Sequence, residues 1–262
     1  MKIQLIRNAT VKINFGGKIW LIDPFLGDVH SLPSFAGKST NPMVPLPISI
    51  EEILEGVDYI LITHLHPDHF DSKAQERIPK HIPILLQPSD LKTIKNLGFE
   101  QIKTIDTQKK LDNIKVSRVP AQHGEGNILN VMGTVSGYVL EAKGEESLYI
   151  TGDTIWFDGV RKSIDKFAPK IIICNAGGNI FSPEHNIFKE QISLERTYKV
   201  IMDEVQVFEL LEYKKDTKVI TVHIGALDHE TVTRKSMRTY LEHKNVPINR
   251  FYILEDGEII TI

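Results

Sequence analysis

The amino-acid sequence predicts an α/β fold in which β-sheets are covered by helices. The first observation is that stretches rich in β-branched residues, with the length and flanking turns of strands, recur along the whole chain. The second is that amphipathic helical segments are fewer and follow strands in both halves of the sequence. This succession favours layers of sheet and helix over a helical bundle or a sandwich made only of strands.

The individual elements can be predicted from the same patterns. Strands are expected at residues 2–6, 10–15, 19–22, 59–63, 82–86, 114–119, 137–141, 147–150, 171–174, 219–222 and 251–254. Helices are expected at residues 89–97, 159–167, 203–211 and 231–243, with Ser89 and Thr231 as N-cap residues. A chain of 262 residues with 41% hydrophobic residues can bury a large core, so we predict a single domain over residues 1–262.

A weak internal repetition supports a sandwich of two similar halves. Residues 11–22 have the pattern of a strand, a Gly-Gly turn and a second strand, followed by an aspartate, and residues 138–150 have a similar pattern before another aspartate. Later in each half an apolar strand ends on a histidine, first at His64 and then at His223. Two such halves predict a pseudo-symmetric sandwich with its functional site along one edge.

Composition and charge narrow the classes of partner. The formal net charge is -3, and no run of lysines and arginines is long enough to suggest a nucleic-acid groove. No apolar run approaches the ~18 residues of a membrane span. The single cysteine, Cys174, excludes an intrachain disulfide, fits a reducing compartment and follows three isoleucines that predict its burial. We therefore expect a cytoplasmic protein with a small-molecule substrate and no nucleic-acid or membrane partner, and the formation of a homo-oligomer is left open.

Residues 25–50 form the longest segment without a regular pattern. Its four prolines exclude a single helix or strand there. A loop of this length is typical of a lid or binding loop, although a packed surface crossover is an alternative. Its mixture of apolar and polar side chains predicts a pocket for a compact, partly polar molecule, and Lys38 or Arg7 is expected to meet any anionic group of that molecule.

The strongest chemical signal is the segment Thr63-His64-Leu65-His66-Pro67-Asp68-His69-Phe70-Asp71, which directly follows an apolar strand. Side chains alternate along extended backbone, so His64, His66 and Asp68 can face one side while His69 enters from the next turn. Three imidazoles and a carboxylate so close together are metal ligands by type, and the packing of a protein core does not require them. The segment predicts a metal site at the end of this strand.

This His-x-His-x-Asp-His spacing resembles the hallmark of the metallo-β-lactamase superfamily. The remaining ligand positions of the superfamily are matched by the histidine in Gln122-His123-Gly124, the aspartate in Gly152-Asp153-Thr154 and His223 after a strand. The segments Arg7-Asn8-Ala9-Thr10 and Leu21-Ile22-Asp23-Pro24 are similar to the branch that contains the ascorbate-6-phosphate lactonases. The resemblance covers essentially the whole chain and implies an αββα four-layer sandwich, the metallo-β-lactamase fold.

The resemblance also implies a site for two divalent metal ions. Its ligands would be His64, His66 and His123 for one ion, Asp68, His69 and His223 for the other, and Asp153 as a bridge. All are nitrogen or oxygen donors, which suit Zn²⁺ first and also Mn²⁺ or Fe²⁺. Two ions of this kind activate a water molecule for attack on a carbonyl or phosphoryl group. Asp68 is the expected catalytic residue, as a ligand that also hydrogen-bonds the attacking water.

The sequence therefore predicts a metal-dependent hydrolase, with a lactone as the leading substrate class by resemblance alone. A phosphodiesterase or nuclease on the same fold is one alternative, and a non-catalytic metal-binding protein is another. A redox di-iron protein is disfavoured, because relatives of that kind usually carry glutamate where this chain has His66. Three residues stay open as proton donors to the leaving group: Asp153, His185 and His229.

Other polar residues are assigned by their local context. Asp23, at a strand end before a proline, is expected to contact a metal ligand rather than only cap a turn. His30, His81 and His243 lie in polar or turn-like segments and are expected on the surface. The role of Asn8 is left open, because some relatives carry histidine at this position.

Overall fold

The computed structural model describes all residues 1–262. It contains sixteen strands. In chain order they are β1 (Lys2–Arg7), β2 (Thr10–Phe15), β3 (Lys18–Ile22), β4 (Tyr59–Leu61), β5 (Ile84–Leu86), β6 (Ile102–Thr104), β7 (Gln108–Leu111), β8 (Ile114–Pro120), β9 (Ser136–Ala142), β10 (Leu148–Ile150), β11 (Ile171–Asn175), β12 (Ile180–Phe181), β13 (Tyr198–Lys199), β14 (Lys218–Val222), β15 (Phe251–Ile253) and β16 (Ile259–Thr261). Each of the predicted strands is present, with shifts of one or two residues at its ends.

Seven α-helices connect these strands. They are α1 (Ile50–Leu54), α2 (Ser72–Arg77), α3 (Leu91–Asn96), α4 (Leu129–Met132), α5 (Asp158–Phe167), α6 (Glu204–Tyr213) and α7 (Arg234–His243). The four predicted helices correspond to α3, α5, α6 and α7. None of the helices combines the length and the apolar character that a membrane crossing requires.

Fourteen of the strands form two seven-stranded sheets. The order is β16-β1-β2-β3-β4-β5-β6 in the first sheet and β15-β14-β11-β10-β9-β8-β7 in the second, while β12 and β13 pair separately. Strands β3 to β6 run parallel to one another, and so do β10, β11, β14 and β15. Because neighbouring parallel strands end on the same side of a sheet, the residues that follow them collect along one edge.

The two sheets pack face to face and each is covered by helices on its outer side. One buried apolar cluster lies between the sheets and takes residues from both, such as Ile13 and Leu140. A second cluster joins the first sheet to α1, α2 and α3. A third joins the second sheet to α5, α6 and α7. The prediction of a four-layer αββα sandwich is therefore confirmed.

The predicted repetition is present, but it is not exact. The hairpins β2–β3 and β9–β10 are both antiparallel, and each leads to a buried aspartate. Strand β4, which precedes His64, pairs directly with β3. Strand β14, which precedes His223, is separated from β10 by β11. The histidine of the first half therefore follows the strand next to the hairpin, whereas the histidine of the second half follows a strand one position further along the sheet.

The sequence prediction missed the short elements and assigned two N-caps to the wrong residues. Strands β6, β7, β12, β13 and β16 and helices α1, α2 and α4 have too few residues to show a period. The prediction of Ser89 as an N-cap is wrong, because Ser89 lies inside a 3₁₀ turn that precedes α3. The prediction for Thr231 is also wrong, because its hydroxyl donates to the carbonyl of Gly178, and Thr233 caps α7 instead.

The long loop after β3 is held from inside by a buried arginine. The guanidinium of Arg7 donates to the backbone carbonyls of Val44, Phe25 and Gly27 at 2.8–3.0 Å. Arg7 is fully buried, whereas Lys38 is exposed. The prediction that one of these cations meets a substrate anion is therefore wrong for Arg7, whose donors are used to anchor the loop.

Several predictions about single residues are confirmed. Cys174 is fully buried in β11, and burial raises the pKa of its thiol to about 12. A protonated, inaccessible thiol is unreactive. His30, His81 and His243 are exposed, as their polar surroundings indicated.

Replacing Ile220 by alanine should lower the free energy of unfolding by about 2–5 kcal/mol, because the change leaves a cavity between the sheets. Ile220 is fully buried in the cluster between the sheets, whereas Ile248 is 75% exposed. Ile248→Ala is the matched control and should change stability by less than about 0.5 kcal/mol. Denaturant unfolding followed by circular dichroism measures both variants, and equal effects would contradict the position of Ile220 between the two sheets.

Candidate metal centre

The seven residues that the sequence singles out lie together at one edge of the sandwich. They follow β4 and β8, which belong to different sheets, and β10 and β14 of the second sheet. Their ligand atoms form two groups, and within each group all atoms lie within 4.8 Å of one another. The first group is His64, His66 and His123, and the second is Asp68, His69, Asp153 and His223. The structure therefore brings all seven predicted residues together, with Asp153, the predicted bridge, grouped with Asp68, His69 and His223.

The carboxylate of Asp153 lies between the two groups. Its Oδ2 atom is 3.3 Å from Nε2 of His69, 3.4 Å from Nε2 of His123, 3.9 Å from Nε2 of His223 and 4.0 Å from Nε2 of His64. Its other oxygen accepts a hydrogen bond of 2.6 Å from the side chain of Asn175. One carboxylate oxygen thus faces imidazoles of both groups.

Three of the histidines are oriented so that Nε2 faces the carboxylate of Asp153. His64 donates from Nδ1 to the hydroxyl of Thr63, His69 donates from Nδ1 to Asp23, and His123 donates from Nδ1 to the carbonyl of Val200, at 3.0, 2.9 and 2.8 Å. These bonds place the hydrogen on Nδ1 and leave the lone pair of Nε2 facing the cluster. The Nε2 atoms of His64 and His69 are buried without any hydrogen-bond partner.

Such orphaned nitrogens test whether the residues fit metal ions. A buried polar atom without a partner costs about 1–3 kcal/mol, so native proteins rarely keep one without a ligand to complete it. Here the unpaired atoms are imidazole nitrogens beside carboxylate oxygens, with no thiolate among them. This donor set fits divalent cations such as Zn²⁺, Mn²⁺ or Fe²⁺.

Burial and neighbouring carboxylates shift the pKa values of these histidines in opposite directions. Burial lowers the pKa of His64, His123 and His66, the last to about 4, so these imidazoles are neutral and ready to bind a metal. Burial also opposes charge on His223, but the carboxylates of Asp153 and Asp68 outweigh it and raise its pKa to about 10. The second group therefore favours positive charge at its centre.

Asp23 makes the contact that its position suggested. Its carboxylate accepts hydrogen bonds from the backbone N–H and the hydroxyl of Thr63, both at 2.7 Å, and from Nδ1 of His69 at 2.9 Å. Through these bonds the end of β3 holds the segment that follows β4. The expected contact of Asp23 with a candidate metal ligand is therefore present, at His69.

Three supporting residues were missed or left open by sequence reasoning. Asn8 donates to the backbone carbonyl of Asp68 at 3.0 Å. Glu230 places Oε1 3.4 Å from Nδ1 of His223, a charge contact that is longer and less well aligned than the bond made by Asp23. Asn175 ends β11, so the signal that located the ligands, a polar residue at the end of an apolar strand, would also have found it. No sequence signal marked Glu230.

The backbone around the cluster is strained in a way that sequence patterns do not reveal. Asn8, Asp23 and His223 have positive φ angles of 56°, 42° and 62°. Non-glycine residues in this region are uncommon and concentrate at functional sites. Gly152 is required before Asp153, because its φ is +63° and a Cβ there would lie 2.8 Å from the carbonyl of Ser136.

A cavity of about 200 Å³ lies against the cluster. It is lined by Phe35, His66, Pro67, Asp68, His123, Met132, Asp153, Phe181, Ile187, Phe188 and His229. Residues 25–50 were expected to form most of the pocket, but Phe35 alone comes from that loop. Most of the apolar wall comes from residues 181–188, and His185 of that segment is exposed and does not line the cavity. The pocket is therefore more apolar than the loop composition predicted.

Asp228 holds the loop segment that carries Phe35. Its carboxylate accepts hydrogen bonds from the backbone N–H groups of Phe35, Ala36, Lys38 and Ser39 and from the side chains of Ser34 and Asn41. The side-chain oxygen of Asn41 accepts in return from the backbone N–H of Asp228 at 2.9 Å. A single carboxylate with this many donors fixes the loop conformation at the cavity wall.

Replacing Asp23 by asparagine should weaken metal binding by about 10- to 100-fold, because the ring orientation of His69 depends on this acceptor. Asp90 is a matched control, since it is also buried but bonds only to Gln87 and Ser89. Asp90→Asn should bind metal as the wild type does. Competition with a chromophoric zinc chelator measures both affinities, and an unchanged affinity in Asp23→Asn would contradict the supporting role.

Replacing Asp228 by asparagine should lower the free energy of unfolding by about 2 kcal/mol or more, because an amide cannot accept from the same set of donors. Metal content should stay at the wild-type value, since Asp228 contacts none of the seven candidate ligands. Asp216→Asn is the control, because Asp216 is an exposed partner of Lys170 and Lys214. Denaturant unfolding should show little change for that variant, and an equally stable Asp228→Asn would contradict the loop-holding role.

Comparison with known proteins agrees with this fold. The family model for the Beta-lactamase superfamily domain matches residues 20–224. The UPF0173 protein YddR of Bacillus subtilis is 33% identical over 267 residues, with 100% of both chains covered. A crystal structure of a possible metal-dependent hydrolase from Veillonella parvula superposes with a TM-score of 0.91 at 30% identity and covers 100% of this chain and 99% of its own.

A second solved structure is similar over the same length. The isothiocyanate hydrolase from Delia radicum gut bacteria has a TM-score of 0.89 at 28% identity, and the match covers 100% of this chain and 99% of that one. YddR and a metal-dependent hydrolase of Azorhizobium caulinodans, which is 29% identical over 187 residues and covers 68% of this chain and 73% of its own, both belong to the UPF0173 group. The chain belongs to the metallo-β-lactamase superfamily and, within it, to the UPF0173 family of metal-dependent hydrolases.

Proposed function

We propose that this protein hydrolyses a compact, largely apolar molecule with an electrophilic carbon at a site for two divalent ions. The observation that carries the proposal is the cavity of about 200 Å³, whose floor contains candidate metal ligands and whose other walls are mainly aromatic and aliphatic. A pocket of this kind selects by shape and apolar contact, with few polar groups to orient the bound molecule.

We propose the same seven residues as ligands that the sequence predicted. His64, His66 and His123 hold one ion, Asp68, His69 and His223 hold the other, and Asp153 bridges them. The two groups of donor atoms and the free Nε2 atoms support this assignment. When bound, such ions supply a hydroxide nucleophile near neutral pH and polarise the substrate.

Within this site Asp68 is the proposed catalytic residue. Its carboxylate lines the cavity, and its Oδ2 atom lies 3.1 Å from Nε2 of His223. Asn8 donates to its backbone carbonyl and approaches Oδ2 at 3.5 Å, which fixes the carboxylate in place. An acceptor held at the floor of the cavity can orient the hydrogen of the attacking water.

An isothiocyanate is the leading candidate substrate. The relative named isothiocyanate hydrolase matches the full length of this chain at 28% identity. The apolar walls suit the hydrocarbon part of such a compound. Water adds to the central carbon of R–N=C=S, the carbon–nitrogen bond breaks, and the nitrogen takes both hydrogens of the water, so that the products are the amine R–NH₂ and carbonyl sulfide.

A small lactone with an alkyl chain is the second candidate, since its carbonyl carbon and apolar tail meet the same requirements. Sugar-acid lactones that carry a phosphate fit less well, because no lysine or arginine lines the cavity. The same lack of cationic side chains disfavours a phosphodiesterase or nuclease. A purely metal-binding role is disfavoured by the cavity itself, which a storage or structural site does not need.

We also propose the extent of the functional domain and the cellular location of the protein. We propose that residues 1–262 act as one domain, because both sheets contribute residues to the candidate site. A cytoplasmic location is supported by the single buried cysteine, which suits a reducing compartment.

Metal content is the first test of this function. Protein purified without chelator should carry close to two transition-metal ions per chain by elemental analysis. His64→Ala and Asp153→Ala should lose metal and turnover together, because each removes a donor from the cluster. His81→Ala is the matched control, since His81 is exposed and remote from the site. A wild-type protein that stays free of metal after incubation with Zn²⁺ or Mn²⁺ would exclude the dinuclear site.

Substrate choice is the second test. The metal-loaded enzyme should convert benzyl isothiocyanate to benzylamine, and more slowly a medium-chain γ-lactone, and EDTA should abolish both reactions. Loss of the isothiocyanate absorbance and appearance of the amine measure the first reaction. Efficient cleavage of bis-p-nitrophenyl phosphate, with no turnover of isothiocyanates or lactones, would instead establish the phosphodiesterase alternative.

A further inference from the structure

The cavity wall contains one polar side chain that is not among the seven candidate ligands. This residue is His229, and the other lining residues outside the ligand set are Phe35, Pro67, Met132, Phe181, Ile187 and Phe188. A polar atom of a bound molecule that does not face the ligand cluster therefore has His229 as its only side-chain partner. The position of this imidazole is thus important for the choice of substrate.

His229 is held on three sides. Its ring lies 5.1 Å from the ring of Phe35 in an edge-on contact and 5.0 Å from the ring of Phe181. The side-chain amide of Asn179 donates to Nε2 of His229 at 3.1 Å. An imidazole that accepts at Nε2 carries its hydrogen on Nδ1, so His229 presents an N–H donor at Nδ1.

This donor has no partner in the protein. His229 is only 5% exposed, and its Nδ1 atom is buried without a hydrogen bond. Leaving such a donor unpaired costs free energy, and a native protein keeps one where a ligand supplies the acceptor. Burial also lowers the pKa of His229 to about 4, so the ring is neutral at physiological pH and adds no charge to an apolar cavity.

We infer that His229 is the substrate-binding hydrogen-bond donor of the cavity, and that its Nδ1–H binds the heteroatom next to the carbon that is attacked. The substrate is accordingly an apolar molecule with a single acceptor beside the scissile bond, such as the nitrogen of an isothiocyanate or the ring oxygen of a lactone. The assignment of the reaction rests on the proposed function, whereas the donor rests on the unpaired Nδ1 atom of His229 and on the position of this residue in the cavity wall.

A binding experiment tests the donor without relying on turnover. Acetophenone, which has one acceptor on an apolar ring, and ethylbenzene, which has a similar shape and no acceptor, are titrated into the zinc-loaded protein. His229→Phe keeps an aromatic ring between Phe35 and Phe181 but removes the N–H. It should weaken acetophenone binding by about 5-fold or more, which is the contribution of one hydrogen bond, and leave ethylbenzene binding unchanged.

Nuclear magnetic resonance of ¹⁵N-histidine-labelled, zinc-loaded protein provides a second readout. The resonances of His229 are identified by their loss in His229→Phe. They should show a neutral ring with hydrogen on Nδ1, and this N–H should shift on addition of acetophenone but not of ethylbenzene. A hydrogen on Nε2 would overturn the inference, as would acetophenone binding that is equal in the wild type and the variant.

Kinetics then distinguish a donor from a packing residue. With a substrate that the wild type hydrolyses, His229→Phe should lower kcat/KM by about 10- to 100-fold at unchanged metal content and unfolding midpoint. His229→Asn, whose amide lies near the position of Nδ1, should recover part of the loss, whereas His229→Gln, whose amide lies nearer Nε2, should not. His185→Phe is the control, because His185 is exposed outside the cavity, and it should match the wild type.

The outcomes separate the inference from the proposed function. If none of the tested compounds is hydrolysed but acetophenone binding depends on His229, the proposed substrates are wrong and the inference is supported. If isothiocyanates or lactones are hydrolysed and His229→Phe retains kcat/KM within about twofold, the proposed function stands and the inference is wrong.

Discussion

Four imidazole nitrogens from three chain segments face one buried carboxylate oxygen, Oδ2 of Asp153, and the rest of the site depends on this arrangement. Burying so many polar groups together is unfavourable unless each has a partner. The surrounding bonds supply those partners on the outer side of the cluster, from Thr63, Asp23 and Asn175 among others. On the inner side the Nε2 atoms of His64 and His69 remain unpaired, and divalent cations fit there.

The two sheets make this arrangement possible because their parallel strands end at the same edge. The first sheet contributes the ligands that follow β4, and the second contributes those that follow β8, β10 and β14. Apolar clusters between the sheets and beneath the helices keep this edge rigid. The positive φ angles of Asp23 and His223 show that the edge is held in place against local backbone preference.

The cavity depends on a different set of contacts. Asp228 fixes the loop that carries Phe35, and the next residue, His229, packs against Phe35 and against Phe181 from a third segment. Ligand binding and cavity shape are therefore carried by separate residues that meet at the floor of the pocket.

The sequence by itself predicted sheets covered by helices, because strand and helix periods reflect which faces are buried, and it singled out His64 to His69 because these candidate ligands lie within six positions after a strand. The four-layer αββα order and the other candidate ligands followed from the resemblance to the metallo-β-lactamase superfamily. Short elements such as β12 escaped prediction because two residues show no period. Only the tertiary structure decided the apolar cavity, the anchoring role of Arg7 and the partner of His223 in Glu230. The physical reason is that Phe35, Phe181 and His229 are far apart in sequence, and their contacts depend on how three chain segments pack, which no local pattern encodes.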